Sequence, residues 1–366
     1  MGNGVYIAGI GMTRFTTHLD KTHHELCGLA LDDVFKDAGL DRDSIECVFF
    51  SNSAWGHFEG QHGIRGQCAL RPHGLLGVPI INVENACASA STGLYSGYMA
   101  LRSGEFDVVL CLGVEKLAHP DKALVFSAFT AGFDNTDLND TFRLYEELSN
   151  QFQIQVPPDD GMGKSRAMET YGVMSRWHMS KYGSTQEQLA RIVVKNRFNG
   201  SLNPKAHWQE AVPFEKVMND RLISYPITRP MCAPIGDGAA AAIIVSERYL
   251  PKLKGPKPVK IRAIAHSSGS DKRNFEDLPD IGERLGKIVY EKAGLGPEDI
   301  DIAEVHDATA YGELHQTEAL GFTAEGTGGE FIDAGKSALD GELPVNTSGG
   351  LLSRGHPVGA SGLAQI

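Results

Sequence analysis

Short apolar runs alternate with amphipathic stretches along the 366-residue chain, and the same order of runs occurs twice. Val5 to Gly11 reads as a buried strand, the segment from about His24 to Ala38 as a helix, and Ile45 to Phe50 as a second strand. In the later half Val259 to Ala265 is strand-like, Ile281 to Lys292 has the helical period, and Ile300 to Val305 reads as the next strand. Both helices run out on Ala-Gly-Leu (Ala38-Gly39-Leu40 and Ala293-Gly294-Leu295), where glycine supplies a left-handed C-cap. The parallel continues further along. Pro79 to Val83 precedes an alanine-rich helical segment ending near Arg102, Leu343 to Thr347 precedes a glycine-rich run to His356, and Ser91-Thr92-Gly93-Leu94 resembles Ala360-Ser361-Gly362-Leu363. The strand Phe106 to Gly113 has no counterpart after Ile366, so the natural protein is expected to extend by roughly 25 to 40 residues, enough for a helix remainder and a strand.

Between the halves the pattern changes to polar and aromatic residues, a Val156-Pro157-Pro158-Asp159-Asp160 loop, and helical stretches from Lys164 to Tyr182 and from Thr185 to Asn199. Ser184 or Thr185 can cap the second of these, with Glu187 reaching back. Asp237-Gly238 then reads as a tight turn into a fully buried strand ending near Val245. These features divide the chain into a first half of 1–117 and 216–250, an inserted loop domain of 118–215, and a second half of 251–366 expected to be incomplete at its C-terminus. The class is α/β.

Composition narrows the chemistry. A net charge of −12, from 34 basic and 46 acidic side chains, argues against nucleic acid or a membrane surface as partner. Six cysteines without a CxxC pair predict no zinc site and no disulfide framework. Met1-Gly2-Asn3-Gly4 leads straight into the first strand, and no apolar run reaches the ~20 residues of a membrane span, so a cytoplasmic location is expected. The 42 glycines fall between apolar runs, as suits many tight turns.

Three residues stand out as chemistry. Cys87, in Asn85-Ala86-Cys87-Ala88-Ser89-Ala90, sits where an apolar run meets a helix start, and the unpaired N–H groups there favour a thiolate. A buried structural cysteine is the other reading. His306 follows the apolar run ending at Val305, at a strand end where functional groups collect, although it can equally be a satisfied histidine under a helix; Asp307 can be only a helix cap. His356 lies in Ser353-Arg354-Gly355-His356-Pro357-Val358-Gly359, where Gly355 permits close backbone approach and Pro357 fixes the chain. No P-loop or dinucleotide fingerprint is present.

Taken in order, Val5 to Phe15, Asn85-Ala86-Cys87-Ala88-Ser89-Ala90, Val194-Lys195-Asn196-Arg197-Phe198-Asn199, Asp237-Gly238-Ala239-Ala240, His306-Asp307 and Gly355-His356-Pro357 resemble the thiolase superfamily, and within it the sterol-carrier-protein type. The resemblance spans nearly the whole chain. It implies the thiolase fold, two βαβαβαββ halves in α-β-α-β-α layers with an inserted loop domain, the nucleophile-type helices at the centre. It implies thiolysis of a 3-oxoacyl-CoA in β-oxidation-like breakdown of an acyl-CoA. Cys87 would be the acyl-accepting nucleophile, His356 would activate its thiol, and His306 would stand where other thiolases orient an oxyanion-hole water.

The same resemblance implies no tightly bound cofactor and no metal, with CoA and acyl-CoA as substrates. It implies a homodimer, and a small zinc-ribbon/OB-fold acyl-CoA-associated subunit as partner. The inserted domain concentrates Lys164, Arg166, Arg176, Lys181, Lys195 and Arg197, which with Gly355 are candidates for CoA binding, or else solvated helix faces. Aromatic residues between Phe126 and Phe152 suit a lid over a bulky aromatic or steroid-like acyl group, and equally suit ordinary packing. The family's C-terminal Cys-x-Gly motif is absent from these residues, and Ala308 and Thr309 follow His306-Asp307 where many relatives carry Cys-Phe. These departures keep open a retro-aldol lyase acting on a β-hydroxyacyl-CoA, with Tyr311 or Tyr225 as acid/base, and a non-catalytic acyl-CoA-binding scaffold subunit.

Overall fold

The computed structural model describes residues 4–152, 154–157, 166–270 and 280–366, without the side chains of Thr141 and Arg166. The chain forms two compact units, one of 1–124, 235–266 and 356–366, the other of 125–234 and 267–355. The strands are β1 (Val5–Met12), β2 (Cys47–Ser51), β3 (Ile80–Val83), β4 (Val108–Glu115), β5 (Leu222–Ser224), β6 (Ile227–Thr228), β7 (Gly238–Ser246) and β8 (Val259–Ile261).

In the first unit six strands make one mixed sheet in the order β3-β2-β4-β7-β1-β8. β2 runs parallel to β3 and β4, and β7 joins β4 and β1 antiparallel. The two central strands are buried at every position, and apolar up to Glu115 and Ser246 at their ends, because both faces are covered. Val108, Leu110, Leu112 and Val114 of β4 join Ala239, Ala241, Ile243 and Val245 of β7 in one core with the helix His23–Ala38. Val109 and Cys111 join Ala240, Ala242 and Ile244 in a second core with the helix Ser89–Ser103. Period-two alternation between two buried faces explains why these strands read as continuous hydrophobic runs.

Local signals in the sequence set the helix ends. Thr22 accepts from the Glu25 N–H at 3.2 Å while Glu25 accepts from the Thr22 N–H at 2.8 Å, a capping box. Gly39 closes the helix at φ 63° and Gly294 closes Ile281–Ala293 at φ 65°, the left-handed turn that the repeated Ala-Gly predicted.

The second unit holds the β5–β6 hairpin and the helices Arg166–Tyr182, Gln186–Ser201, Ile281–Ala293 and Ala310–Ala319. Thr185 caps Gln186–Ser201, but Gln188 reaches back to it rather than Glu187, because the third helical residue is the one whose side chain meets the cap N–H. Ser184 instead hydrogen-bonds His178 Nδ1 at 2.9 Å. The strand expected at Ile300 to Val305 does not form. Ile300 to Val305 and Leu343 to Thr347 meet only at a parallel bridge between Ala303 and Val345, and β8 stops at Ile261. Ala303, Val305, Leu343 and Val345 are buried with Phe331 in a small cluster, so their apolar pattern reports burial rather than a ladder. Among the described residues the second half has no counterparts of β4 and β7, the strands whose long antiparallel register organises the first.

Candidate active site

Cys87 lies in a 3₁₀ turn, Ala86–Ala88, between β3 and the helix Ser89–Ser103. The turn is held from both sides. Ser89 Oγ accepts the Asn85 N–H at 2.8 Å and donates to the Ala86 carbonyl at 2.7 Å, while Glu84 Oε1 accepts the Ala86 N–H at 2.8 Å. Ala86 has φ 44°, a sparsely populated conformation for a residue with a Cβ, so the hydrogen bonds hold a turn that the backbone does not favour by itself.

His356 is brought to this turn by close backbone approach in the same unit. A Cβ on Gly113 would lie 2.2 Å from the Gly359 carbonyl oxygen, and one on Gly362 would lie 2.1 Å from Ser91 Oγ. Only glycines let the segment after His356 pack onto β4 and onto the Cys87 helix. His356 Nε2 then stands 3.3 Å from Cys87 Sγ, and Nδ1 stands 2.7 Å from Ser361 Oγ. The Ser361 hydroxyl gives its one proton to the Pro357 carbonyl at 3.0 Å. It therefore accepts from Nδ1–H, which assigns the tautomer from the network and leaves the Nε2 lone pair facing the thiol.

The expected acidification of the thiol is overturned. Burial, and then the charge of Glu115, push the Cys87 thiol up to about 11, against a smaller opposing pull from its own backbone N–H. A helix terminus contributes typically 0.3–1 kcal/mol, less than burial of a thiolate costs, and Cys87 sits ahead of the helix rather than on its first turn. The resting sulfur is a thiol with a base beside it.

In the second unit, Gln316 clamps the His306 backbone, accepting its N–H at 3.1 Å and donating to its carbonyl at 2.8 Å. Burial, and then Arg354, lower the His306 ring to about 4, so it is neutral at pH 7. Asp307 is no cap of its own helix. It accepts from Leu351 N–H at 2.6 Å and Leu352 N–H at 3.4 Å in the helix Gly350–Arg354, and from Asn196 Nδ2 at 2.9 Å. Burial and Glu313 raise its carboxyl well above the usual range. Gly355, with φ 107°, ends that helix in a conformation closed to L side chains.

The basic candidates have different fates. Lys195 Nζ pairs with Glu313 Oε1 at 2.8 Å and donates to the Val345 carbonyl at 2.6 Å, with both partners largely buried. Replacing Lys195 by methionine is expected to cost about 3 kcal/mol, because Glu313 would keep a buried charge without its cation; urea unfolding measures it. Arg176 is buried on Glu169, Ser149 and the Tyr225 carbonyl. Lys181 lies over the rings of Trp177 and Tyr182. Arg197 donates to the Glu210 carbonyl at 3.0 Å and stacks over Trp208 at 4.9 Å. Lys164 and the Arg166 side chain lie outside the described residues. Lys195 also lines an open groove of about 530 Å³ with Arg191, Val194, Phe198, Phe214 and Leu339.

Of the proposed acid/base tyrosines, Tyr311 is buried and stacked on His315, and burial raises its hydroxyl strongly. Tyr225 offers its carbonyl to Arg176. Sequence reasoning passed over Glu115, Asn52 and Ser361. The available signals were an acid closing a wholly apolar strand and a serine little more than one helical turn after His356.

No helix among the described residues is long and apolar enough to cross a membrane. The model of the thiolase N-terminal domain matches residues 5–225, and that of the thiolase C-terminal domain-like family matches 263–366. An acetyl-CoA acetyltransferase of Methanothermobacter thermautotrophicus is 33% identical, with 99% of this chain and 88% of that protein covered. Sterol carrier protein 2 of Bos taurus is 32% identical over 99% of this chain, which spans 65% of that protein. The benzoylsuccinyl-CoA thiolase subunit BbsB of Thauera aromatica is 32% identical, with 99% and 87% covered. Among solved structures, the Ltp2-ChsH2(DUF35) aldolase superposes with a TM-score of 0.80 at 25% identity, with 99% of this chain and 88% of that one covered.

Proposed function

Because the chain belongs to the thiolase family and has its mixed α/β fold, we propose that it cleaves a 3-oxoacyl-CoA with CoA through an acyl-enzyme on Cys87. The observation that carries this reading is the 3.3 Å approach of His356 Nε2 to the Cys87 Sγ. His356 Nε2 takes the thiol proton, and the sulfur attacks the 3-keto carbon. The tetrahedral oxyanion collapses, the Cα–Cβ bond breaks toward Cα, and the carbanion leaves as a CoA thioester after taking up the proton that His356 carries. The thiol of free CoA then gives its proton to His356, attacks the Cys87 thioester and carries off the shortened acyl group, and the Cys87 thiolate takes that proton back. His306, neutral and able to donate one N–H, is assigned to oxyanion stabilisation from its place in the His-Asp motif.

The name of BbsB supports a bulky aromatic acyl group, and the exposed Phe126 together with the Phe133–Phe142 pair, 5.3 Å between centroids, supports an aromatic lid. The likeness to the Ltp2-ChsH2(DUF35) aldolase supports a small acyl-CoA-associated partner; a homodimer follows from the family resemblance. Of the CoA-binding candidates, Arg197 is favoured over Lys195, since its guanidinium is spared a buried ion pair. Arg197→Glu is expected to raise KM for CoA about tenfold with kcat within twofold, read from steady-state kinetics.

The second reading, retro-aldol cleavage, is favoured by the aldolase match and opposed by the Cys87–His356 pair, which that reaction does not use. Iodoacetamide separates the two. Thiolysis predicts loss of CoA-dependent cleavage in step with Cys87 alkylation, whereas full activity of the alkylated protein would establish the lyase.

A further inference from the structure

Glu115 ends β4 as a fully buried carboxylate whose hydrogen bonds tie together the segments around Cys87 and His356. Its Oε1 accepts from Asn52 Nδ2 at 2.9 Å and from the Ala54 N–H at 3.0 Å. Its Oε2 accepts from the Ser53 N–H at 2.9 Å and from the Gly359 N–H at 3.0 Å. Four donors from two separate stretches of chain thus converge on one carboxyl, which burial pushes up to about 7 and these N–H groups pull back toward its acceptor-only ionised form. Gly359 belongs to the turn that carries His356. Asn52 is itself fixed by Arg65, which donates to its carbonyl at 2.7 Å and to Oδ1 at 3.0 Å. Every donor requires an oxygen opposite it, so an amide in place of the carboxylate would set an NH₂ against two of them.

We propose that Glu115 is the positioning residue of the acyl-transfer site, holding the His356 turn through Gly359 so that Nε2 stays within reach of the Cys87 thiol. This rests on the thiolase reading for its meaning in catalysis, but its geometry can be tested without any substrate. Glu115 also acts on the sulfur directly, because its charge opposes the thiolate. Removing the charge alone would make Cys87 more reactive; removing the anchor would make it less reactive, and only where His356 is present. The two effects have opposite signs.

The test is a double-mutant cycle on the alkylation rate of Cys87 by iodoacetamide at pH 8, in the full chain, with E115Q, H356N and the pair. The expected result is a roughly tenfold slower rate for E115Q in the wild-type background and an unchanged or faster rate in the H356N background, where only the loss of charge acts. An unchanged or faster rate for E115Q in the wild-type background, or an equal loss in both backgrounds, would overturn the proposal. Asn52→Ala, which removes one donor and keeps the carboxylate, serves where E115Q does not fold, with an expected loss of about threefold that again vanishes beside H356N. If neither variant folds, Glu115 supports the sheet as a whole and the proposal is overturned. Iodoacetamide reports on the thiol alone, so the cycle can succeed with CoA-dependent cleavage absent, and can fail with it present.

Discussion

Cys87→Ala is expected to abolish CoA-dependent cleavage, with turnover reduced by at least about 10⁴-fold, while the melting temperature stays within about 2 °C of wild type. The two outcomes follow from the same geometry. Cys87 is half-buried in a turn fixed by Ser89 and Glu84, neither of which bonds to the sulfur, so alanine leaves the turn intact. Three of the other cysteines are shut away from a substrate. Cys27, Cys47 and Cys111 are buried in the apolar cores, and burial raises each of those thiols. Steady-state assay beside a thermal melt checks both halves, and loss of activity accompanied by unfolding would remove the catalytic interpretation.

His356→Asn should lower kcat by about 10³-fold and move KM by less than threefold. Asparagine can still donate to Ser361 from near the position of Nδ1, so the turn keeps its anchor. What it lacks is an acceptor reaching the position of Nε2, which is where the thiol proton goes. With the thiol held near 11 by burial and Glu115, the unassisted thiolate fraction at pH 8 is on the order of 10⁻³, which sets the size of the loss. The activity of the variant should therefore rise with pH more steeply than that of the wild type. A variant with wild-type kcat would mean that another group takes the proton.

Much of the first unit was legible because its signals are local. The Ala-Gly end of the first helix and the apolar strands each depend on neighbours within a few residues, and β4 and β7 are apolar up to their last residues since both of their faces are covered. The approach of Cys87 and His356 could be anticipated from motifs for the same reason. Glu115 could not, because three of its four donors are backbone N–H groups, which leave no trace in residue identity. Lys195 read as a solvent-facing cation on a helix, whereas its partner Glu313 lies far along the chain and reaches it only in the folded unit. The apolar run at Ile300 predicted a strand. An apolar pattern requires only a buried place, and the cluster around Phe331 supplies one without a ladder.

The acidity of Cys87 was the instructive failure. Proximity to a helix start is visible in a sequence, but the carboxylate at the end of another strand and the depth of burial are not, and here both act against the thiolate.

The account turns on a covalent intermediate. The protein incubated with a 3-oxoacyl-CoA in the absence of free CoA, quenched in acid and digested, should yield the Cys87 peptide heavier by one acyl group, and a pulse of CoA before the quench should discharge it. Consumption of the thioester with the Cys87 peptide unmodified at every time point would contradict acyl transfer on this sulfur.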